Sequence, residues 1–332
     1  MRNILCVTLI ALLGGCTSTS VTEKYQDKRN DIINVKDKVI EFETGNVLIG
    51  SVSRLYMSNK CLLIADHKSV DKQIHIFNKN DFSYLTSIGN FGEGPEEITV
   101  MGCLAIDEAH HQLYVSDHAK QKIFSYDMDS VMVDSLYKPQ VKTAMNETLF
   151  PSEYQYINDT LSIAVLIKPT STSTFNQFLG RWNMNTGEMI PMKYTHPDIQ
   201  KKRITFAASE KAGIYVECYT RHDLMTICSL DGELLYNIYG PDWDGGNGNK
   251  LQSFGTVMIG NDKIFVSYCG EDYARDSFPT KILVFDLEGN YLKTLETGYK
   301  ISDCCYDSFN NRIILSLNDV VQFAYLLSLI HI

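Results

Sequence analysis

The chain has 332 residues and a formal net charge of −10, with 44% apolar and 21% charged residues. An acidic surface repels phosphate backbones, which excludes nucleic acid as a partner class. No apolar run approaches the roughly 20 residues of a membrane-spanning helix, and the length suits one large all-β domain, since barrels and propellers run long as single units.

The first fifteen residues read as an export signal. Arg2 supplies the positive start, and Ile4 to Leu13 form a short apolar core of signal-peptide length. The run ends Leu13-Gly14-Gly15-Cys16, which matches a lipobox. Small residues let the peptidase approach the backbone, and the Cys16 thiol accepts the diacylglycerol. Acyl chains on Cys16 would anchor the protein in a membrane, each buried methylene contributing about 0.8 kcal/mol. Thr17-Ser18-Thr19-Ser20 follow, with no Asp beside the cysteine. By resemblance to known sorting rules this points away from the inner membrane, towards the outer membrane facing the periplasm. Residues 16–34 are polar and charged, and are expected to form a flexible tether.

From residue 35 a repeat takes over. Short β-rich runs start at positions 61, 112, 160, 213, 263 and 312 (Cys61–Asp66, Gln112–Asp117, Thr160–Val165, Gly213–Cys218, Lys263–Tyr268 and Arg312–Leu317). A period of about fifty residues means a repeat architecture. Each run is preceded by a strand, such as Ser53 to Met57, and in the first five units followed by two more. Examples are Gln73 to Phe77 with Tyr84 to Ile88, and Lys122 to Tyr126 with Val131 to Leu136. Four antiparallel strands repeated radially make a β-propeller. The fold class is therefore all-β, a six-bladed propeller over residues 35–326. The sixth unit lacks its outer strand, which Val39 to Glu43 can supply, closing the ring and covering a sheet edge. Residues 327–332, Leu-Ser-Leu-Ile-His-Ile, read as a non-native tail.

Ile88-Gly-Asn-Phe-Gly-Glu-Gly-Pro-Glu-Glu-Ile98, with Gly92, Gly94, Pro95 and Glu96 at its centre, resembles the inter-blade motif of Bacteroidetes lipoproteins with a TolB-like six-bladed propeller. Glu96 stands where that family usually has Gly. Tyr239-Gly-Pro-Asp-Trp243 resembles a second inter-blade loop of the same group. The resemblance implies the propeller fold and a cell-envelope location. It assigns no activity.

Candidate chemistry sits in the loops between second and third strands, which in a propeller gather at one mouth of the central channel. They carry Asp66-His67, Asp117-His118, Arg221-His222-Asp223 and Glu271-Asp272-Tyr273-Ala274-Arg275. His67, His118, Arg221, His222, Asp272 and Arg275 are the candidate ligand-binding residues. Convergence of the three histidines would allow a divalent cation, although no cofactor is predicted and no metal ligand set is assigned. The Gly-rich stretch 89–97 lacks the Gly-Lys-Ser/Thr of a phosphate loop. Asp242 to Asn249 lacks the twelfth-position Glu of a calcium loop. Seven cysteines remain beyond Cys6 and Cys16, with no Cys-x-x-Cys spacing, and are expected to be small buried apolar side chains. No Ser-His-Asp set assembles without arbitrary choice. The favoured expectation is a lipid-anchored binding or scaffold module for a glycan, peptide or protein partner. The alternative is a periplasmic hydrolase or lyase using the His/Asp loops.

Overall fold

The computed structural model describes residues 22–134, 136–246, 251–275 and 277–327. Three short strands come first: β1 (Glu23–Tyr25), β2 (Ile32–Asn34) and β3 (Val39–Glu41). Blade 1 follows as β4 (Ser53–Met57), β5 (Cys61–Asp66), β6 (Lys72–Asn78) and β7 (Tyr84–Asn90). Blade 2 is β8 (Met101–Asp107), β9 (Gln112–Asp117), β10 (Lys122–Asp127) and β11 (Gln140–Ala144). Blade 3 is β12 (Phe150–Asn158), β13 (Leu161–Pro169), β14 (Phe175–Trp182) and β15 (Met189–Pro191). Blade 4 is β16 (Ile204–Ser209), β17 (Ile214–Tyr219), β18 (Leu224–Ser229) and β19 (Leu234–Tyr239). Blade 5 is β20 (Leu251–Gly260), β21 (Lys263–Asp272), β22 (Lys281–Asp286) and β23 (Tyr291–Glu296). Blade 6 is β24 (Ile301–Asp307), β25 (Arg312–Leu317) and β26 (Phe323–Leu327), completed by β3. That last pairing, Val39 opposite Leu326 and Glu41 opposite Ala324, closes the ring.

The second strands read as unbroken apolar runs because both their faces are covered. In β5 every residue is buried: Leu63 and Ala65 pack towards blade 2, and Leu62 and Ile64 towards blade 6. The core is thus divided into six apolar layers, one per blade interface. Each fully buried Leu or Ile contributes roughly 1.5–3 kcal/mol. Cys304 joins the layer against blade 5 and its neighbour Cys305 the layer against blade 1, as strand alternation requires. All seven described cysteines are buried and free.

Three expectations are corrected. The strand read over Val131 to Leu136 is the helix α1 (Met128–Val133), and the fourth strand of blade 2 is β11. Asp127 caps the helix by accepting the Ser130 N–H at 2.7 Å. Val131 fills the layer between blades 1 and 2, with Met128 packed against it, a one-turn spacing that fits a helix.

The 16–34 tether is the second correction. Residues 22–34 are pinned to the ring: β1 adds in parallel to β19, and β2 in parallel to β23. Exposed strand edges offer unpaired N–H and C=O groups, and side chains add hold. Tyr25 stacks on Tyr239 at 4.5 Å. Arg29 enters between blades 4 and 5, where Nη1 donates to Asp223 Oδ1 at 2.8 Å and the guanidinium lies among Phe254, Tyr268 and Phe285.

Third, Leu327 is not tail but the last residue of β26, opposite Arg312. The remaining tail residues, 328–332, and the signal and lipidation site at Cys16 lie outside the described residues.

Candidate functional site: the channel mouth

The six first strands β4, β8, β12, β16, β20 and β24 line a central channel of about 360 Å³. At the end where second and third strands connect, the channel meets a cavity of about 460 Å³ bounded by blades 1, 5 and 6. Arg54, Thr256 and Asp303 border both.

Arg54 and Glu153 form a two-pronged ion pair at 3.0 and 3.4 Å, spanning blades 1 and 3. Both side chains are about two-fifths exposed. The nearby Tyr56 phenolic oxygen, then the Glu153 and Asp303 carboxylates, raise the Arg54 pKa further against the cost of burial, so it is always charged. Asp303 is buried on β24. Its Oδ2 accepts the Leu55 N–H at 2.8 Å and its Oδ1 accepts the Thr256 hydroxyl at 2.7 Å. Burial raises its pKa above the ordinary carboxylate value, with Arg54 opposing. Tyr56 and Tyr154 also line the channel, and burial raises the pKa of both hydroxyls.

His67 and His118 come to this same mouth. Burial, then the Arg54 charge, lowers the His67 pKa. Burial lowers that of His118, with Asp117 and Glu153 opposing. Both rings are therefore held neutral, and each has a buried Nε2 without a partner. Gly102 leaves room for this: a Cβ there would strike Ser116 Oγ and His118 Nε2. The neighbouring aspartates are occupied. Asp66 accepts the N–H groups of Gly50 at 2.7 Å and Lys68 at 2.9 Å. Asp117 accepts those of Thr99, Val100, Ala119 and Lys120.

The other loop residues go elsewhere. His222 packs on Tyr219 and Trp243, and His196 also packs on Trp243. Burial lowers its pKa, with Asp244 opposing and the Arg221 charge adding to the lowering. The three candidate histidines therefore form no common centre. Asp272 Oδ1 accepts the Ala274 N–H at 2.9 Å, and Arg275 lies 3.9 Å from Glu271, so these residues order their own loop. Among the described residues one group of three could hold a metal: His110 Nδ1 with Asp107 Oδ2 at 2.8 Å and Asp159 Oδ1 at 3.8 Å. It lies on the opposite face, in the turns between first and second strands.

The inter-blade loop wraps a cation of its own chain. Lys120 Nζ donates to the carbonyls of Gly92 at 3.4 Å, Gly94 at 2.5 Å and Glu97 at 2.6 Å. Glu97 accepts the Gly94 N–H at 2.8 Å, and a Cβ at Gly92 would strike that carboxylate. Pro95 sits at the turn's tip, and Glu96 points outward to Lys138 at 2.7 Å. The motif fills itself and joins blade 1 to blade 2.

Reading loops alone missed Arg54, Glu153, Thr256 and Asp303. The available signal was a charged residue within the first strand of blades 1, 3 and 6.

Solved structures with the same architecture include a candidate exported protein of Bacteroides fragilis (TM-score 0.57, 14% identity, covering 89% of this chain and 87% of that one). A member of the DUF4221 family from Bacteroides vulgatus is similar too (TM-score 0.57, 10% identity, 90% and 98%). So is the Cps50 (Swd1) β-propeller domain of Myceliophteria thermophila (TM-score 0.54, 9% identity, 87% and 99%). Such identities carry the fold alone. No curated protein matches the sequence. Residues 17–176, from the start of the polar segment into blade 3, match the DUF5128 family, described as a 6-bladed beta-propeller.

Proposed function

We propose that this is an exported, lipid-anchored binding module, held at the cell envelope through Cys16 and taking a glycan, peptide or protein partner at the channel mouth. The observation that carries the reading is the continuous recess made by the mouth cavity and the channel, with the polar groups of Arg54, Thr256 and Asp303 at their junction. Ligand seats are concave recesses with a few placed polar groups. The export signal and lipobox support the location, as does the fold shared with a candidate exported Bacteroides protein. The outer membrane, periplasmic side, is the favoured address.

The hydrolase or lyase alternative loses its proposed centre, because His222 is packed apart from His67 and His118. Burial also raises the pKa of all seven thiols, which leaves them poor nucleophiles. The test is a thermal-shift screen of the full chain carrying C16S against glycans, peptides and divalent cations. A ligand at 100 times its Kd adds about 2.7 kcal/mol, a shift of a few degrees. Shifts with a glycan or peptide, lost on blocking the mouth with S302W at an exposed lining position, support the reading. Turnover of the ligand, or a shift untouched by S302W, refutes it.

A further inference from the structure

The outer strands of blades 1, 4 and 5 share one pattern, and two of the three carry an added strand. They read Tyr84-Leu-Thr-Ser87-Ile88, Leu234-Leu-Tyr-Asn237-Ile238 and Tyr291-Leu-Lys-Thr294-Leu295. Each skips one residue of its ladder at the same place, next to Phe77, Cys228 and Phe285. In blades 1 and 5 the leading tyrosine meets that phenylalanine edge-on, at 5.8 Å for Phe77–Tyr84 and 6.0 Å for Phe285–Tyr291. The outer edges of β19 and β23 carry β1 and β2. The outer edge of β7 carries no strand among the described residues.

The occupied edges define the dock. Asn237 and Thr294 donate their N–H groups to the carbonyls of Thr22 and Asp31, at 2.8 and 2.7 Å. The Tyr291 hydroxyl donates to the same Asp31 carbonyl at 2.9 Å and meets the Thr294 hydroxyl at 2.8 Å. Blade 1 keeps this arrangement: the Tyr84 and Ser87 hydroxyls meet at 2.9 Å, and His75 Nδ1 reaches Ser87 Oγ at 2.8 Å. With His75 donating to Ser87, and Ser87 to Tyr84, the Tyr84 O–H is left to donate outward. The Ser87 N–H faces outward with it, since Ser87 lies opposite His75 as Thr294 lies opposite Leu283.

The cover is missing too. Asn237 and Thr294 are 1% and 2% exposed, whereas Tyr84 and Leu85 are 47% and 44% exposed and Ser87 is half-buried. In blade 5 the added segment sinks Val35 into the layer that holds Leu295. Beside Ile88, the counterpart of Leu295, there is instead a cavity of about 380 Å³, lined also by Gly89, Tyr126, Leu136, Tyr137 and Pro139. The match stops at Gly89, whose φ of +74° has no counterpart in β19 or β23, so the dock is centred on Ser87.

We infer that the outer edge of blade 1 docks an extended segment of a partner protein, added in parallel to β7 with an aliphatic side chain entering the cavity. Main-chain bonds to a free edge and a pocket for an alternate side chain are how such segments are held. This chain's own N-terminal segment is pinned on blades 4 and 5, and blade 1 stands across the ring from blade 4. In a second copy the same segment is pinned in the same way. The site lies on the flank and is independent of the channel-mouth reading.

The test is fluorescence anisotropy of the full chain carrying C16S with a labelled peptide, Asn-Asp-Ile-Ile-Asn-Val-Lys, which copies residues 30–36. Saturable binding is expected. Y84F, which removes one exposed hydroxyl, should weaken it several-fold. S87P should weaken it at least about tenfold, since proline takes away the outward N–H and is tolerated on an edge. N-methylation of the peptide's second Ile, whose N–H would meet the Ser87 carbonyl, should abolish binding, and Y291F should leave it unchanged. Y84F and the methylated peptide keep the test independent of any folding defect in S87P. No binding, or binding indifferent to Y84F and to methylation, overturns the inference. Weakening by Y291F in place of Y84F means that the peptide exchanges with the chain's own segment, and overturns it as well. Self-association in sedimentation that Y84F abolishes assigns the edge to a second copy and overturns the partner reading.

Discussion

Blades 1 and 2 close their channel-mouth loops chiefly on local backbone N–H groups, whereas blade 4 closes its loop on a side chain brought from the N-terminus. Asp66 and Asp117 each end a second strand and gather N–H groups from the segment entering the blade. Asp223 instead stands just before a third strand. It accepts the Asp242 N–H at 3.2 Å and the Arg29 guanidinium at 2.8 Å. The order of the pair is reversed as well: Asp-His in blades 1 and 2, His-Asp in blade 4. With the aspartate shifted, His67 and His118 follow their clamps to the mouth and His222 turns to Trp243. Similar residue pairs thus serve a local clamp in one half of the ring and a long-range lock in the other.

The largest test of this contrast is D117A, which strands four backbone N–H donors. We expect a loss of about 4 kcal/mol in urea unfolding, about half recovered by D117N, which keeps an acceptor oxygen. A loss under about 1 kcal/mol would mean that water replaces the clamp.

Next is R29A, which leaves Asp223 buried without its cation. About 3 kcal/mol is expected, together with faster proteolysis at residues 22–34. Unchanged proteolysis would show that strand pairing alone holds the segment.

A smaller effect is expected with pH. Burial holds His67, His75, His118, His196 and His222 below the ordinary imidazole value of 6.5. As pH falls through that value, the unfolded chain takes up protons that the folded chain refuses. Stability present above 6.5 is therefore lost on acidification. Asp223 and Asp303, whose carboxyl pKa values are raised by burial, act in the opposite sense at lower pH. The urea midpoint should fall between about pH 7.5 and about pH 5.5, and a flat profile would contradict neutral imidazoles.

The smallest effect is expected at E96A. It removes an exposed pair with Lys138, and no resolvable change in stability is expected. A clear loss would mean that the outward arm of the inter-blade loop, not its grip on Lys120, sets the joint.

The architecture was legible in the sequence because each second strand is covered on both faces and so appears as an apolar run at a fixed period. The ring closure by Val39 was legible because a sixth blade without an outer strand leaves an open edge. The segment around Arg29 was not legible: its hold comes from partners about two hundred residues away, and its own composition is polar. The helix at Met128–Val133 was missed because six residues with four apolar positions suit a strand as well as a helical turn. At the mouth, His67 and His118 were found from loop position. Arg54, Glu153 and Asp303 were not, since a charge within a strand does not by itself mark a channel-facing position, and only the ring brings the three together.

The pinned N-terminal segment also sets a length. With Cys16 as the acylated residue, only six residue steps separate the lipid from Thr22, whose carbonyl accepts the Asn237 N–H on the outer edge of blade 4. Six steps extend to about 20 Å at most, where a free chain to residue 34 would reach about three times as far. The protein would then ride on a short leash fixed to its rim. The flank of blades 4 and 5 would lie near the lipid headgroups, and both openings of the ring would face sideways, clear of the bilayer.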